Sequence, residues 1–238
     1  MNSPTNTDQQ VKSKERVQKH GEVFTPQWVV NDMLDLLPAD VWEPDKTFLE
    51  PACGEGAFLV EIYRRKLQNI KAETQNEWEW QAAIATGSIY GIELLEDNAK
   101  QCIENLMQIF TDFYQRLYPD TQDNELIKTV QFLIHRNIIQ GNALTCRKCS
   151  LACGNECSKC EKIVFSEWKA VSMKKEQSTM NNYLFQRRDY TYEGIIDADK
   201  MQKSASGGIF EAVFSKEEHG LIKEYKPVNY KEIQYVKG

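Results

Sequence analysis

The stretch Thr47-Phe-Leu-Glu-Pro-Ala-Cys-Gly-Glu-Gly-Ala-Phe-Leu59 decides the fold of this chain. An apolar strand ending leads into the acid Glu50, a turn with glycines at 54 and 56 follows, and apolar residues then open a helix. Glycines let a backbone approach a ligand closely, because no Cβ intervenes. The N–H groups at the start of the helix are free to bind that ligand. The stretch therefore predicts a strand–loop–helix unit that binds a ligand.

Two common nucleotide loops do not fit this stretch. A phosphate loop needs Gly-Lys-Ser/Thr, which is absent here, and the dinucleotide fingerprint needs three glycines where only two stand.

Further along the chain, apolar and helical patterns alternate. Strands are predicted at 48–50, 88–93 and 137–140, with helices over 28–37, 58–67, 78–86 and 95–113 and either a helix end or a strand at 130–135. Thr25 is the predicted N-cap of the first helix. Alternation of strands and helices indicates an α/β fold with a parallel, doubly wound sheet.

Four ordered segments resemble the amino-type DNA methyltransferases, above all the N6-adenine enzymes with gamma-type motif order. The glycine-loop stretch is similar to their S-adenosylmethionine motif, and Lys19-His-Gly-Glu-Val-Phe-Thr-Pro26 to their N-terminal cofactor motif. Ile89-Tyr-Gly-Ile-Glu-Leu94 and Ile138-Ile-Gln-Gly-Asn-Ala-Leu144 resemble the second and third strands. The resemblance implies a partial Rossmann-like methyltransferase sheet and S-adenosylmethionine as cofactor.

The resemblance also implies a role for each site residue. Glu50 would approach the methionine amino end of the cofactor, Glu93 the ribose hydroxyls, Leu94 the adenine ring and Asn142, where the family has Asp, the adenine amine. A strand-end acid, ordinary packing or a turn asparagine is the alternative for each. The full implied set is Phe24, Thr25, Pro26, Glu50, Pro51, Ala52, Cys53, Gly54, Gly56, Phe58, Glu93, Leu94, Asn142 and Ala143.

Cys53 lies inside the glycine loop, where a nucleophilic role is tempting. Methyl transfer to an exocyclic amine needs no enzyme thiol, so we do not expect Cys53 to act as a nucleophile or a redox group.

A second cysteine feature follows the third strand. Cys146-x-x-Cys149 and Cys157-x-x-Cys160, with Cys153 between them, have the pairing of a structural zinc site of thiolates. The seven residues between the pairs are fewer than usual. An iron–sulfur cluster and a metal-free reduced loop are the alternatives.

The base-clamping motif of the resembled family, Asn/Asp-Pro-Pro-Tyr/Phe, is absent, because the chain holds no Pro-Pro pair. The catalytic residues are therefore unknown. We expect a second methyltransferase subunit to supply the clamp and the DNA recognition of a restriction-modification system. A truncated gene, or an inactive cofactor- or zinc-binding interaction module, is the alternative.

Composition and charge limit how the protein can bind DNA and where in the cell it is expected. The chain has 238 residues and a net charge of −6, so it lacks the strongly basic balance of a protein that grips DNA by itself. It has neither a long apolar run nor an apolar signal core, and its cysteines suit a reducing compartment, so a cytoplasmic protein without a membrane span is expected. The predicted divisions are a disordered lead-in (1–15), the cofactor domain (16–145), a Cys-rich segment (146–162) and an irregular C-terminal extension of unknown role (163–238). Turn signals and alternating aromatic residues leave open that this extension forms a small hairpin region or completes the edge of the sheet.

Overall fold

The computed structural model describes residues 25–149, 153, 159–173, 182–197 and 219–236. The chain divides into two compact units, one up to Ala39 and one from Asp40 onward. In the first unit, helix α1 spans Gln27–Leu34. Its N-cap is Pro26 and no side chain caps it, so the prediction of Thr25 as the N-cap is wrong. A short 3-10 helix, Ala39–Trp42, follows.

A three-stranded parallel sheet is the centre of the second unit, in the order β1-β2-β3. The strands are β1, Phe48–Glu50, β2, Ile89–Glu93, and β3, Ile138–Gln140. The strand registers place Glu50 opposite Gly91 and Glu93 opposite Gln140. The carboxyl ends of all three strands therefore lie along one edge, and the predicted parallel α/β sheet is confirmed.

Four helices connect or flank these strands. They are α2, Ala57–Asn69, α3, Gln75–Gly87, α4, Glu96–Leu117, and α5, Asn124–Asn137. The segment at 130–135, for which a strand was one alternative, lies inside α5. Asp123 caps α5 by accepting from the Leu126 N–H at 2.9 Å, and this N-cap signal marks a helix start that the apolar pattern alone did not reveal.

Gly91 shows why the first βαβ unit packs closely. A Cβ built on it would lie 2.9 Å from both Cys53 Sγ and Leu59 Cδ1. Only a glycine therefore lets the loop and α2 approach strand β2 this closely.

The C-terminal part forms a second, antiparallel sheet. Strand β4, Val164–Met173, pairs along its length with β5, Asn182–Thr191, from Val164 opposite Thr191 to Met173 opposite Asn182. Strands β6, Leu221–Glu224, and β7, Val228–Asn229, also pair with β5, and a 3-10 helix, Tyr230–Tyr235, follows. The described residues of the extension, which was expected to be irregular with a small hairpin region as one alternative, thus form an ordered hairpin sheet.

The two sheets share one hydrophobic core. Tyr90 and Ile92 of β2 and Ile139 of β3 pack with Phe165 and with Tyr190 of the hairpin sheet. The hairpin sheet therefore covers this face of the parallel sheet, where a doubly wound fold would place helices. Within the described residues, no helix is long and apolar enough to cross a bilayer.

Candidate functional site

The loop between β1 and α2 is held open by its two glycines. Gly54 has φ of +55° and Gly56 has φ of +90°, both in the left-handed region that favours glycine. A Cβ on Gly56 would lie 2.7 Å from Cys102 Sγ, whereas a Cβ on Gly54 would meet no atom within 4 Å. Gly56 is thus needed for packing as well as for conformation, while open space lies beside Gly54 where a ligand can approach.

Glu93 joins three loops at the carboxyl edge of the sheet. Its carboxylate accepts from the Gly54 N–H and from the Leu95 N–H, each at 2.9 Å. Its backbone carbonyl accepts from the Gly141 N–H at 2.8 Å. The residue is 8% exposed. Because a carboxylate has about four acceptor positions and two are used here, the remaining positions can take two hydroxyl donors.

Glu50 lies at the end of β1 beside the same loop. Burial raises the pKa of its carboxyl, and a hydrogen bond from the Ala52 N–H acts against that rise. That bond is long, at 3.4 Å. A partly desolvated carboxylate with few donors of its own gains from a cationic ligand, which would replace the solvation it has lost.

Asn142 has the turn role in this structure. Its side-chain oxygen accepts from the Leu144 N–H at 2.9 Å and from the Thr145 N–H at 3.3 Å. An adenine amine at this oxygen would have to share it with those two donors. Ala143 packs against the core between the sheets, and Leu94 is half-buried beside Glu93.

The Cys53 thiol has the properties of a packing group. It is buried, and a hydrogen bond with Cys102, together with burial and nearby acids, raises its pKa well above the usual value. A thiolate at this position is therefore disfavoured, which agrees with a packing role and not with a nucleophilic one.

Helix α4 packs against the glycine loop. The Asn105 side-chain amide donates to the Glu55 carbonyl at 3.0 Å, and Cys102 packs under Gly56. Neither residue was among the predicted site residues. The only sequence signal for their role is that the two residues are three positions apart and so lie on one face of the helix. This spacing does not identify the loop that the face contacts.

For the remaining predicted cofactor residues, the structure gives at most their position and exposure. Phe24 lies outside the described residues, and Thr25 and Pro26 belong to the first unit. Pro51 and Ala52 are exposed in the turn, and Phe58 is half-buried at the start of α2.

The predicted zinc ligands are only partly described. Cys153 and Cys160 have sulfurs 3.6 Å apart, whereas the Cys149 thiol donates to the Arg147 carbonyl at 3.5 Å. Cys146 contacts the Ala143 carbonyl, and Cys157 lies outside the described residues. Across the part of the chain that the structure describes, no three candidate ligands lie together as a metal-binding group. The geometry thus gives no support to zinc.

Comparison with known proteins gives two matches. A family model described as the MmeI DNA-methyltransferase domain matches residues 43–219, which include the parallel sheet and strands β4 and β5 of the hairpin sheet. A type I restriction enzyme MjaVII methylase subunit from Methanocaldococcus jannaschii is 46% identical over 55 residues. That alignment spans 23% of this chain and 9% of the relative. No solved structure matches.

Proposed function

The chain belongs to the MmeI DNA-methyltransferase domain family, and from this premise we propose that it is the S-adenosylmethionine-binding part of an adenine-N6 DNA methyltransferase. The observation that carries the proposal is the convergence at Glu93. Its carboxylate ties the glycine loop to the end of β2, and its carbonyl ties in the loop after β3. Ligands of open α/β sheets bind outside the carboxyl ends of such strands.

The charges at this edge suit the cofactor. S-adenosylmethionine supplies a methyl group on a positively charged sulfonium and carries a cationic amino group. Glu50 would bind that amino group, and the free acceptor positions of Glu93 would bind the ribose hydroxyls. Leu94 would lie against the adenine ring, and Asn142 would hold the loop that borders it.

Transfer to an exocyclic amine, of which adenine N6 is the one that the resemblance implies, is compatible with the chemistry of the loop. An exocyclic amine attacks the methyl group directly, and the protein has to position it and accept its proton. The buried, hydrogen-bonded Cys53 thiol fits such a site, because no thiolate is required there.

The binding test uses calorimetry with S-adenosylmethionine. Replacing Glu93 by Ala should weaken binding by about 1.5–3 kcal/mol, since charge-assisted bonds to the ribose are lost. Glu93→Gln keeps one oxygen acceptor and should lose less. Glu96→Ala removes a nearby exposed acid that pairs with Lys100, and should bind as the wild type does.

Unchanged affinity in Glu93→Ala, in protein whose melting shows that it is folded, would remove Glu93 from the site. A wild-type chain that fails to bind the cofactor at millimolar concentration would overturn the cofactor assignment.

We further propose that the base clamp is supplied from outside this sequence, by a partner in a restriction-modification system. The chain contains no Pro-Pro pair, and the relative from Methanocaldococcus jannaschii is named as a subunit of a larger enzyme. Positioning of base and methyl group contributes on the order of 7–11 kcal/mol to such reactions. The purified chain should therefore transfer no labelled methyl to duplex DNA, and addition of the partner should restore transfer to adenine N6. Robust transfer by the chain alone would contradict this.

Zinc in the segment 146–160 stays a prediction from the cysteine spacing. Elemental analysis of protein purified without chelator should find close to one zinc per chain, and a metal-free protein with reduced thiols would contradict it.

A further inference from the structure

A short turn, and the segment that runs back beside it, lie at the carboxyl edge of the parallel sheet. We call residues 142–149 and 159–163 the basic ridge. The Asn142 N–H donates to the Arg147 carbonyl at 2.8 Å, and the Lys148 N–H to the Glu161 carbonyl at 2.8 Å. The Ile163 N–H donates to the Cys146 carbonyl at 2.9 Å. Together with the turn that Asn142 caps, these bonds give the ridge a defined backbone.

Leu144 lies at the tip of this turn and is 95% exposed. It is the most exposed of the large apolar side chains in the described residues. Single exposed apolar side chains are common on protein surfaces. Here the hydrogen-bonded turn holds Leu144 in a fixed position beside the proposed cofactor site, where it is available to a partner.

The ridge is basic although the chain is acidic. It carries Arg147, Lys148, Lys159 and Lys162, and three of these, the lysines, are exposed. Glu161 pairs with Lys148 at 3.5 Å, and Glu193 pairs with Lys162 at 3.0 Å. Both pairs are open to solvent, so each contributes little and yields readily to a stronger anion. The chain as a whole has a net charge of −6, which makes this local excess of cations a distinct feature.

The ridge borders the proposed cofactor site. The Gly141 N–H donates to the Glu93 carbonyl at 2.8 Å, and Leu144 follows Gly141 by three residues. The two Cα atoms are therefore within roughly 11 Å of each other, the reach of three residues. A macromolecule that presents a base to the cofactor would pass over this turn.

We propose that the basic ridge contacts duplex DNA, with Lys148 and Lys162 at backbone phosphates and Leu144 against the base stack next to the target adenine. Lysines that neutralise phosphates release counterions and strengthen binding at low salt. Apolar side chains such as Leu wedge between base steps and help to unstack them. Extrusion of a base from the duplex needs such help. This inference rests on the proposed function, because DNA is the substrate of that function.

The test measures binding of the whole purified chain to a fluorescein-labelled duplex by anisotropy, between about 20 and 200 mM salt. Lys148→Gln/Lys162→Gln should reduce the slope of log affinity against log salt by about 2, one for each lost phosphate contact. The matched control is Lys100→Gln/Lys128→Gln, since these exposed lysines on α4 and α5 also pair with glutamates. It should leave the slope unchanged.

Leu144 is tested with the partner chain added, in a duplex that carries 2-aminopurine in place of the adenine that the complex methylates. The complex with the wild-type chain should raise its fluorescence as the base unstacks. Leu144→Ser should abolish most of that rise and leave the salt slope unchanged, since no charge is altered.

Three results would overturn the inference. The first is a wild-type chain that does not bind DNA at low salt, and the second is an equal slope of log affinity against log salt in both double-lysine variants. The third is a Leu144→Ser variant that weakens only the binding of the cofactor, which would mean that Leu144 covers the cofactor and does not contact DNA. Calorimetry with S-adenosylmethionine separates the two proposals. Normal cofactor binding with equal slopes would remove only the ridge, whereas a slope change without cofactor binding would remove only the cofactor assignment.

Discussion

The parallel sheet and the hairpin sheet differ in the kind of polar contact that holds them together. Around the glycine loop, bonds link strand ends that the βαβ pattern itself brings together, as between Gly54 and Glu93. In the hairpin sheet, Asp189 accepts from Ser166 at 2.7 Å, from Arg187 at 2.6 Å and from Arg136 of α5 at 3.2 Å.

This buried polar centre ties the hairpin sheet to the helices. Tyr225 also donates to Asp189 at 3.0 Å, and the Arg187 guanidinium lies 4.4 Å from the centre of the Tyr225 ring. Lys231 makes a similar link, because it bridges Glu79 of α3 at 2.6 Å and Asp123 at 2.7 Å. Motif spacing therefore describes the first region, whereas pairing between buried charged side chains holds the second.

The largest expected effect is on the hairpin sheet. Asp189→Ala leaves Arg187 as a buried cation without its carboxylate, and should lower the free energy of unfolding by about 3–5 kcal/mol. Burial acts to raise the pKa of Asp189, but bonds from Arg187 and Ser166 hold it below its usual value. The stabilisation from this ionisation is therefore present above pH of about 4 and is lost as pH falls.

Urea unfolding followed by Trp fluorescence measures this loss. Glu193→Ala is the control, since Glu193 pairs with Lys162 in solvent and its removal should leave the stability nearly unchanged. A loss below about 1 kcal/mol for Asp189→Ala would mean that the polar centre does not hold the hairpin sheet.

The second prediction concerns the glycine loop. In Gly56→Ala, a residue with a side chain has to adopt φ of +90°, and its Cβ lies 2.7 Å from Cys102 Sγ. Together the backbone strain and the steric overlap should lower the free energy of unfolding by about 2–4 kcal/mol. Gly54→Ala meets no atom within 4 Å and should cost only about 1 kcal/mol, for the left-handed backbone alone.

Thermal unfolding of the two variants gives the difference. Adding Cys102→Ala to Gly56→Ala should recover the steric part of the loss but not the backbone part. Equal losses in Gly54→Ala and Gly56→Ala would show that packing against α4 does not distinguish the two glycines.

The smallest prediction tests whether the parallel-sheet region also depends on a distant charge. Lys66 of α2 is fully buried, and its ammonium donates to the Glu43, Pro44 and Lys46 carbonyls at 2.6–3.2 Å, just before β1. Burial lowers its pKa to about 7. Because the unfolded state then binds more protons above pH 7, stability should rise with pH between 7 and 9, by about 2 kcal/mol.

Lys66→Met should remove that rise, and the measurement is urea unfolding of both proteins at pH 6, 7, 8 and 9. The difference between the two proteins isolates Lys66 from other groups that titrate in this range. A parallel pH dependence in both would exclude Lys66 as its source.

The three parallel strands could be predicted because their signals are local. Phe48–Glu50 is predicted and observed with the same bounds, and the other two strands differ from their prediction by one residue. The acids at the strand ends follow from the same pattern. The start of α5 was missed because its signal is a single capping aspartate rather than an apolar repeat.

The hairpin sheet could not be predicted in the same way. Its inward side includes Ser166, Arg187 and Asp189, so the apolar alternation that marks a strand is broken by the buried polar centre. Which residues those charges meet depends on α5 and on the segment at 219–236, which are far away along the chain.

The sequence by itself determined the three parallel strands, the glycine loop and the acids at the strand ends, because each depends on a few neighbouring residues. Only the tertiary structure decided that Glu93 ties three loops together, that Cys53 packs against Cys102 and that a hairpin sheet covers the parallel sheet. The physical reason is that burial, hydrogen bonding and charge pairing between distant segments depend on where the chain folds back, which local pattern does not encode.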